Sequence, residues 1–146
     1  MKIEIKMDSS CPEPKIIIVA ASMTGEVQEL VNRLSEMSPQ VLSGIREEKL
    51  EILDPLELIR IYAGGGKVFA VTDKGEYVLR LRLYELEERL DRNSFVRISN
   101  SEIINLKKVK NFDLGFAGTI CVKFQNGTTT YVSRRYVSKI KQILGV

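Results

Sequence analysis

The sequence predicts a mainly β domain preceded by a small α/β unit. From Lys49 onward, short β-branched and aromatic runs are separated by Gly, Asn and Asp turn residues, which is strand-and-turn patterning. Only two segments in that stretch keep helical spacing. Before it, a single amphipathic stripe sits among extended runs. A chain of 146 residues with 44% hydrophobic content suffices for one domain of ordinary size with an appendage.

The first 45 residues form the α/β segment in this reading. Lys2 to Met7 alternate apolar and charged, Cys11-Pro12-Glu13-Pro14 turns the chain, and Lys15 to Ala21 reads as a buried strand. Thr24 is the expected N-cap of a helix in which Val27, Leu30, Val31 and Leu34 share one face, and Ser38-Pro39 ends it. An extended piece from Val41 to Ile45 leads into Arg46-Glu47-Glu48-Lys49, which reads as the boundary.

Residues 46–146 form the second module. Leu50 to Leu53 and Leu58 to Tyr62 are strand runs, and Gly64-Gly65-Gly66 turns the chain into Val68 to Thr72. Asp73-Lys74-Gly75 turns it again into Tyr77 to Leu81. A helix from Tyr84 to Arg92 follows, with Leu83, Leu86 and Leu90 on one side. Val96 to Ser99 and Ile103 to Leu106 resume extended structure. Asn126-Gly127 between Ile120 to Phe124 and Thr130 to Val132 signals a hairpin with a type I′ turn. Ser133 then caps a helix whose stripe is Tyr136, Val137, Ile140, Ile143 and Leu144.

Charge divides the chain unevenly. From Arg97 onward nine Lys or Arg face two acids, Glu102 and Asp113, while the first 96 residues carry 13 bases and 17 acids. A net of +7 thus follows a net of −4, which points to a polyanion-binding surface, with a solvated basic face as the plain alternative. Arg134 and Arg135 sharpen the point. They occupy the first turn of the last helix, where they oppose the positive end of its dipole and an incoming phosphate would reverse the penalty. A salt bridge to Glu102 or Asp113 is the structural alternative.

Several chemistries are disfavoured. Without histidine there is no Ser-His or Cys-His pair and no imidazole ligand. Cys11 and Cys121 make no metal spacing, and the acids cluster on helix-like faces, so no enzyme, metal or cofactor is expected. Gly64-Gly65-Gly66-Lys67 lacks the spacing of a nucleotide-binding loop and reads as a hairpin turn that presents Lys67 to a phosphate backbone. The longest apolar run, Ile16 to Ala21, is too short to cross a bilayer, and the N-terminus lacks signal-peptide order, so a cytoplasmic protein is expected.

Phe95-Val96-Arg97-Ile98-Ser99-Asn100-Ser101 with Ile104-Asn105-Leu106, the preceding Leu83 to Leu90, the Asn126-Gly127 hairpin and Val132-Ser133-Arg134-Arg135-Tyr136 together resemble the LytTR DNA-binding domain of bacterial transcription regulators. The resemblance covers roughly residues 49 to 146. It implies an elongated antiparallel β fold that inserts loops, rather than a recognition helix, into successive major grooves. Direct-repeat double-stranded DNA is the implied partner, bound by two protomers, hence a homodimer at least on DNA.

By position, the resemblance puts Asn100 and Ser101 on a DNA-facing loop and makes Arg135 a base reader, since its fork matches guanine O6 and N7. Arg134, Lys107 and Lys108, with Arg97 and Lys67, complete the expected DNA-binding set, the lysines holding phosphates. The sequence departs from the family pattern at position 100, often Lys or Arg and here Asn, and in the glycine loop, which lacks side chains for base contact. The front segment is too short for a phosphoacceptor receiver, which needs about a hundred residues or more. The resemblance makes it a dimerisation piece or a docking piece for an inhibitory membrane protein. The competing reading is a non-catalytic interaction module whose basic face docks an acidic protein or membrane surface.

Overall fold

A computed structural model describes residues 1–36, 41–115 and 118–146, and the chain falls into two units, Met1–Pro39 and Gln40–Val146. In the first unit the helix forms as its sequence requires. Helix α1 spans Gly25–Glu36, and the Val27 amide donates to Thr24 Oγ1 at 3.3 Å, which is the expected cap. Val27, Leu30, Val31 and Leu34 are its less exposed residues. The Ser38-Pro39 stop lies outside the described residues.

The two strands expected before that helix do not form. Residues 1–24 contain no strand, and Ile3, Ile5, Met7, Ile16, Ile17 and Val19 are all at least 70% exposed. The physical reason is that a two-stranded ribbon is marginal by itself, and the described residues of this unit offer no third strand to cover it. The front segment is therefore a helix preceded by irregular chain with turns and bends, not an α/β unit.

The second unit begins earlier than residue 46, because the strand at its start belongs to a sheet. Strands β1 (Leu42–Arg46) and β2 (Lys49–Leu53) pair antiparallel with Arg46 opposite Lys49, so Glu47-Glu48 is a two-residue turn. Both glutamates have positive φ, 51° and 65°, the left-handed geometry of a type I′ hairpin. The charged stretch that reads as a boundary is thus an internal hairpin tip.

Seven strands form the main sheet in the order β2-β1-β5-β4-β3-β7-β6, all neighbours antiparallel. They include β3 (Arg60–Gly64), β4 (Lys67–Thr72), β5 (Gly75–Leu79), β6 (Phe95–Ser99) and β7 (Glu102–Asn105). Gly65 and Gly66, at φ 59° and 77°, make the tight β3–β4 turn that the triple glycine foretells. Helix α2, Leu83–Arg89, lies between β5 and β6 in sequence and buries Leu83, Leu86 and the following Leu90 against this sheet.

A second sheet has three strands, β10-β9-β8. Its strands β9 (Ile120–Phe124) and β10 (Thr129–Val132) match expectation, whereas β8 (Val109–Asp113) was not legible from the sequence. The Asn126-Gly127 connection differs from the type I′ prediction. Phe124 N–H donates to Thr128 O, Gly127 N–H to Phe124 O, and only Gly127 has positive φ, 90°. The loop holds three residues rather than two, and a glycine at its last position fits that longer hairpin. Helix α3, Arg134–Leu144, closes the unit.

Two cores result, and the pleat of a few strands divides them. Successive side chains point to opposite faces. Phe95 and Ile103 therefore enter the core beneath α2, while Val96, Ile98 and Ile104 enter the core formed with Ile120, Val122, Phe124, Val132 and Ile140. Every residue of β7 is buried, since it has a layer on each side. Asn105 is held there by donating its side-chain amide to Leu58 O at 2.8 Å and accepting from Lys107 N–H.

Candidate nucleic-acid interface

Three turns meet at one end of the second unit because of strand register. Tyr62 lies opposite Glu102, and Ala63 N–H donates to Ser101 O at 2.8 Å, so the Gly64 to Lys67 tip and the Asn100-Ser101 turn are neighbours. Ser133 N–H donates to Ile98 O at 2.9 Å, which brings the start of α3 to the same place. Tyr136, in the first turn of α3, donates its hydroxyl to Asn100 Oδ1 at 3.3 Å. Lys67, Asn100, Ser101, Arg134 and Arg135 are exposed around this junction.

Arg97 has a different position from the others. Its side chain is 14% exposed and folds under the turn, with Nε donating to Ser99 O at 2.7 Å, Nη2 to Asn100 O, and Nη1 paired with Glu87 at 3.1 Å. Such contacts fix the Ser99 to Ser101 backbone. Ser101 N–H donating to Ser99 Oγ at 3.2 Å tightens the turn further.

Ser133 stands at the N-cap of α3 without a side-chain bond to the helix, so the first-turn amides are not capped by its hydroxyl. Among the described residues neither Arg134 nor Arg135 has an ion pair. Glu102, one of the partners considered for them, instead accepts from Thr130 Oγ1 at 2.8 Å and lies 3.5 Å from Arg60. Burial raises the Glu102 carboxyl above its ordinary value, against the lowering influence of Arg60 and Thr130. The other, Asp113, accepts from Gly115 N–H. The two arginines therefore present charge to solvent at a helix start that favours anions.

Lys107 and Lys108 lie elsewhere. They sit in a single 3-10 turn beyond the other end of β7, roughly 16 Å from Ser101 at the usual strand rise. Their carbonyls accept from Gln125, which places them beside the Asn126-Gly127 hairpin.

Sequence reasoning missed Arg80 and Arg82. They border an open concavity of about 880 Å³ together with Lys67, Arg97 and Asn100, over a floor that includes Val68, Leu79 and Leu81. No acid lines it. β5 ends at Leu79 and α2 starts at Leu83, so the short connection between them carries both arginines beside the glycine tip. Among the described residues no acid, cysteine or histidine cluster could hold a metal, and no helix is long and apolar enough to cross a membrane.

Known proteins resemble this chain in fold and in sequence. A solved LytTr DNA-binding domain from a Bacillus cereus protein superposes with a TM-score of 0.70 at 22% identity, over 73% of this chain and 97% of that one. Staphylococcus aureus strains NCTC 8325 / PS 47 and COL each have a relative named as an uncharacterized HTH-type transcriptional regulator, 31% identical over the whole of this chain and 99% of theirs. A tandem helix pair is nevertheless not what the second unit offers, since β6 to β10 separate α2 from α3. The model of the LytTr DNA-binding domain matches residues 48–145, and the chain belongs to that family.

Proposed function

We propose that this chain is a transcriptional regulator that recognises a specific double-stranded DNA sequence through the turns gathered at one end of its β unit. The placement of Asn100 against the first turn of α3, where it accepts from Tyr136, the residue after the exposed Arg135, carries the reading. Both offer groups suited to the major groove: Arg a bidentate fork for guanine, Asn a donor and acceptor pair for adenine. Lys67, Arg80, Arg82 and Arg134 surround them and hold phosphates, which adds affinity and register without sequence information. Arg97 acts through the loop it braces rather than on DNA.

Lys107 and Lys108, at the far end of β7, hold the backbone where the duplex continues. Two protomers then occupy direct repeats on one face of the duplex. The comparison with Staphylococcus aureus regulators supports a role in transcription, since the likeness extends through the front segment.

Selection of bound sites from a random duplex pool, followed by titration of the recovered site and its scrambled version at several salt concentrations, tests the reading. A preference of at least about a thousandfold is expected for a specific binder. Equal binding to both duplexes would overturn it in favour of an interaction module driven by charge alone.

A further inference from the structure

We infer that residues Lys2–Asp8 pair with the same residues of a second copy of this chain, as two antiparallel strands centred on Ile5. The segment is strand-like in pattern, and its local geometry agrees. Lys2 and Glu4, two residues apart, form an ion pair at 3.1 Å, as side chains on one face of an extended strand do. The opposite face is Ile3, Ile5 and Met7, between 82% and 89% exposed, and the segment joins neither sheet.

Charge selects the occupant and the register. With Ile5 opposite Ile5, Lys2 faces Asp8, Glu4 faces Lys6 and Ile3 faces Met7, each twice by symmetry. Opposite charges and apolar pairs directly across are the stabilising cross-strand combinations. Moving the centre to Glu4 sets Lys2 against Lys6 and Glu4 against itself. Moving it to Lys6 sets Glu4 against Asp8 and Lys6 against itself. A shift by one residue turns the apolar side chains to the wrong face, and a parallel in-register pair puts every charge beside its like. One register of this segment with itself is complementary throughout.

A ribbon of two strands needs cover to persist. The same unit supplies apolar material in Ile16, Ile17 and Val19, 70–92% exposed in an unpaired run. This pairing gives a structural form to the two-protomer binding proposed above, and it can fail without touching DNA recognition.

Charge exchange in the full-length chain tests it, with mass measured by sedimentation and single-site DNA binding as the control for folding. The parent chain is expected to dimerise in solution. Glu4→Lys and Lys6→Glu should each raise the dimer dissociation constant by about tenfold or more, because two attractive pairs become repulsive. Mixing the two variants should restore dimers that contain one of each, since Lys at position 4 then meets Glu at position 6 and Glu at position 4 meets Lys at position 6. A monomeric parent, variants that dimerise like the parent, or a mixture that stays monomeric would each overturn the proposal. Retained binding to a single DNA site in any of these cases would leave the DNA reading intact.

Discussion

The Tyr136 hydroxyl donates to the side-chain oxygen of Asn100 at 3.3 Å, tying the first turn of α3 to the β6–β7 turn. Two loops distant in sequence are thereby held in one geometry before any DNA arrives. Asn100 Oδ1 keeps a second lone pair, and among the described residues its NH₂ group has no hydrogen-bond partner. Tyr136→Phe should leave folding stability within about 1 kcal/mol and weaken the preferred site by several fold, as loss of one neutral hydrogen bond does. Comparison of urea midpoints and of binding titrations for the two proteins checks both halves.

Arg135→Ala should cost about 1–3 kcal/mol on the selected site and little on random duplex. The exposed side chain has no ion partner among the described residues, so folding should be unaffected. Equal losses on both duplexes would reassign Arg135 to phosphate binding.

Lys107→Gln with Lys108→Gln should weaken all duplexes alike and lower the salt slope by about one for each phosphate that is no longer neutralised. An unchanged slope would place the far end of β7 away from DNA and confine the interface to the three-turn junction.

Glu102 makes stability depend on pH in an uncommon direction. Its carboxyl is raised in the folded chain, so the native state keeps the proton to higher pH than the unfolded state does. The associated stability is fully present below the unfolded value and is lost as pH rises through the raised folded value. Glu102→Gln should therefore gain on the parent between acidic and neutral pH. Urea midpoints of both proteins at each pH decide this, and a variant that instead loses ground at neutral pH would show that the Arg60 pairing dominates.

Most of the β unit was legible because its signals are local. Strand runs between glycine turns, the Leu83, Leu86 and Leu90 stripe and the Ser133 helix start all depend on residues close in sequence. What escaped depended on partners far away. Val109–Asp113 is a strand only because Ile120–Phe124 lies beside it, and Glu47-Glu48 takes a left-handed turn, at about 1–2 kcal/mol per residue, because the strands on either side pair. The candidate site divides the same way. The family resemblance, with the charge pattern, suggests Asn100, Ser101, Arg134, Arg135 and Lys67 for DNA contact, and the fold puts them at one end. Arg97 belongs to that motif as well, yet its guanidinium turns inward to Ser99, Asn100 and Glu87. The separation of Lys107 and Lys108, and the arrival of Arg80 and Arg82, follow from register that no local pattern encodes.

The burial of β7 on both faces couples the cores thermodynamically. Neither layer can open without exposing Ile103 or Ile104, so the unit should unfold as one cooperative transition rather than sheet by sheet. The amides of Ile103 to Asn105 should then be among the slowest to exchange with solvent hydrogen. The turn at Asn100, anchored at the near end of that strand, inherits its rigidity, so little conformational freedom would remain to be lost when it meets a duplex.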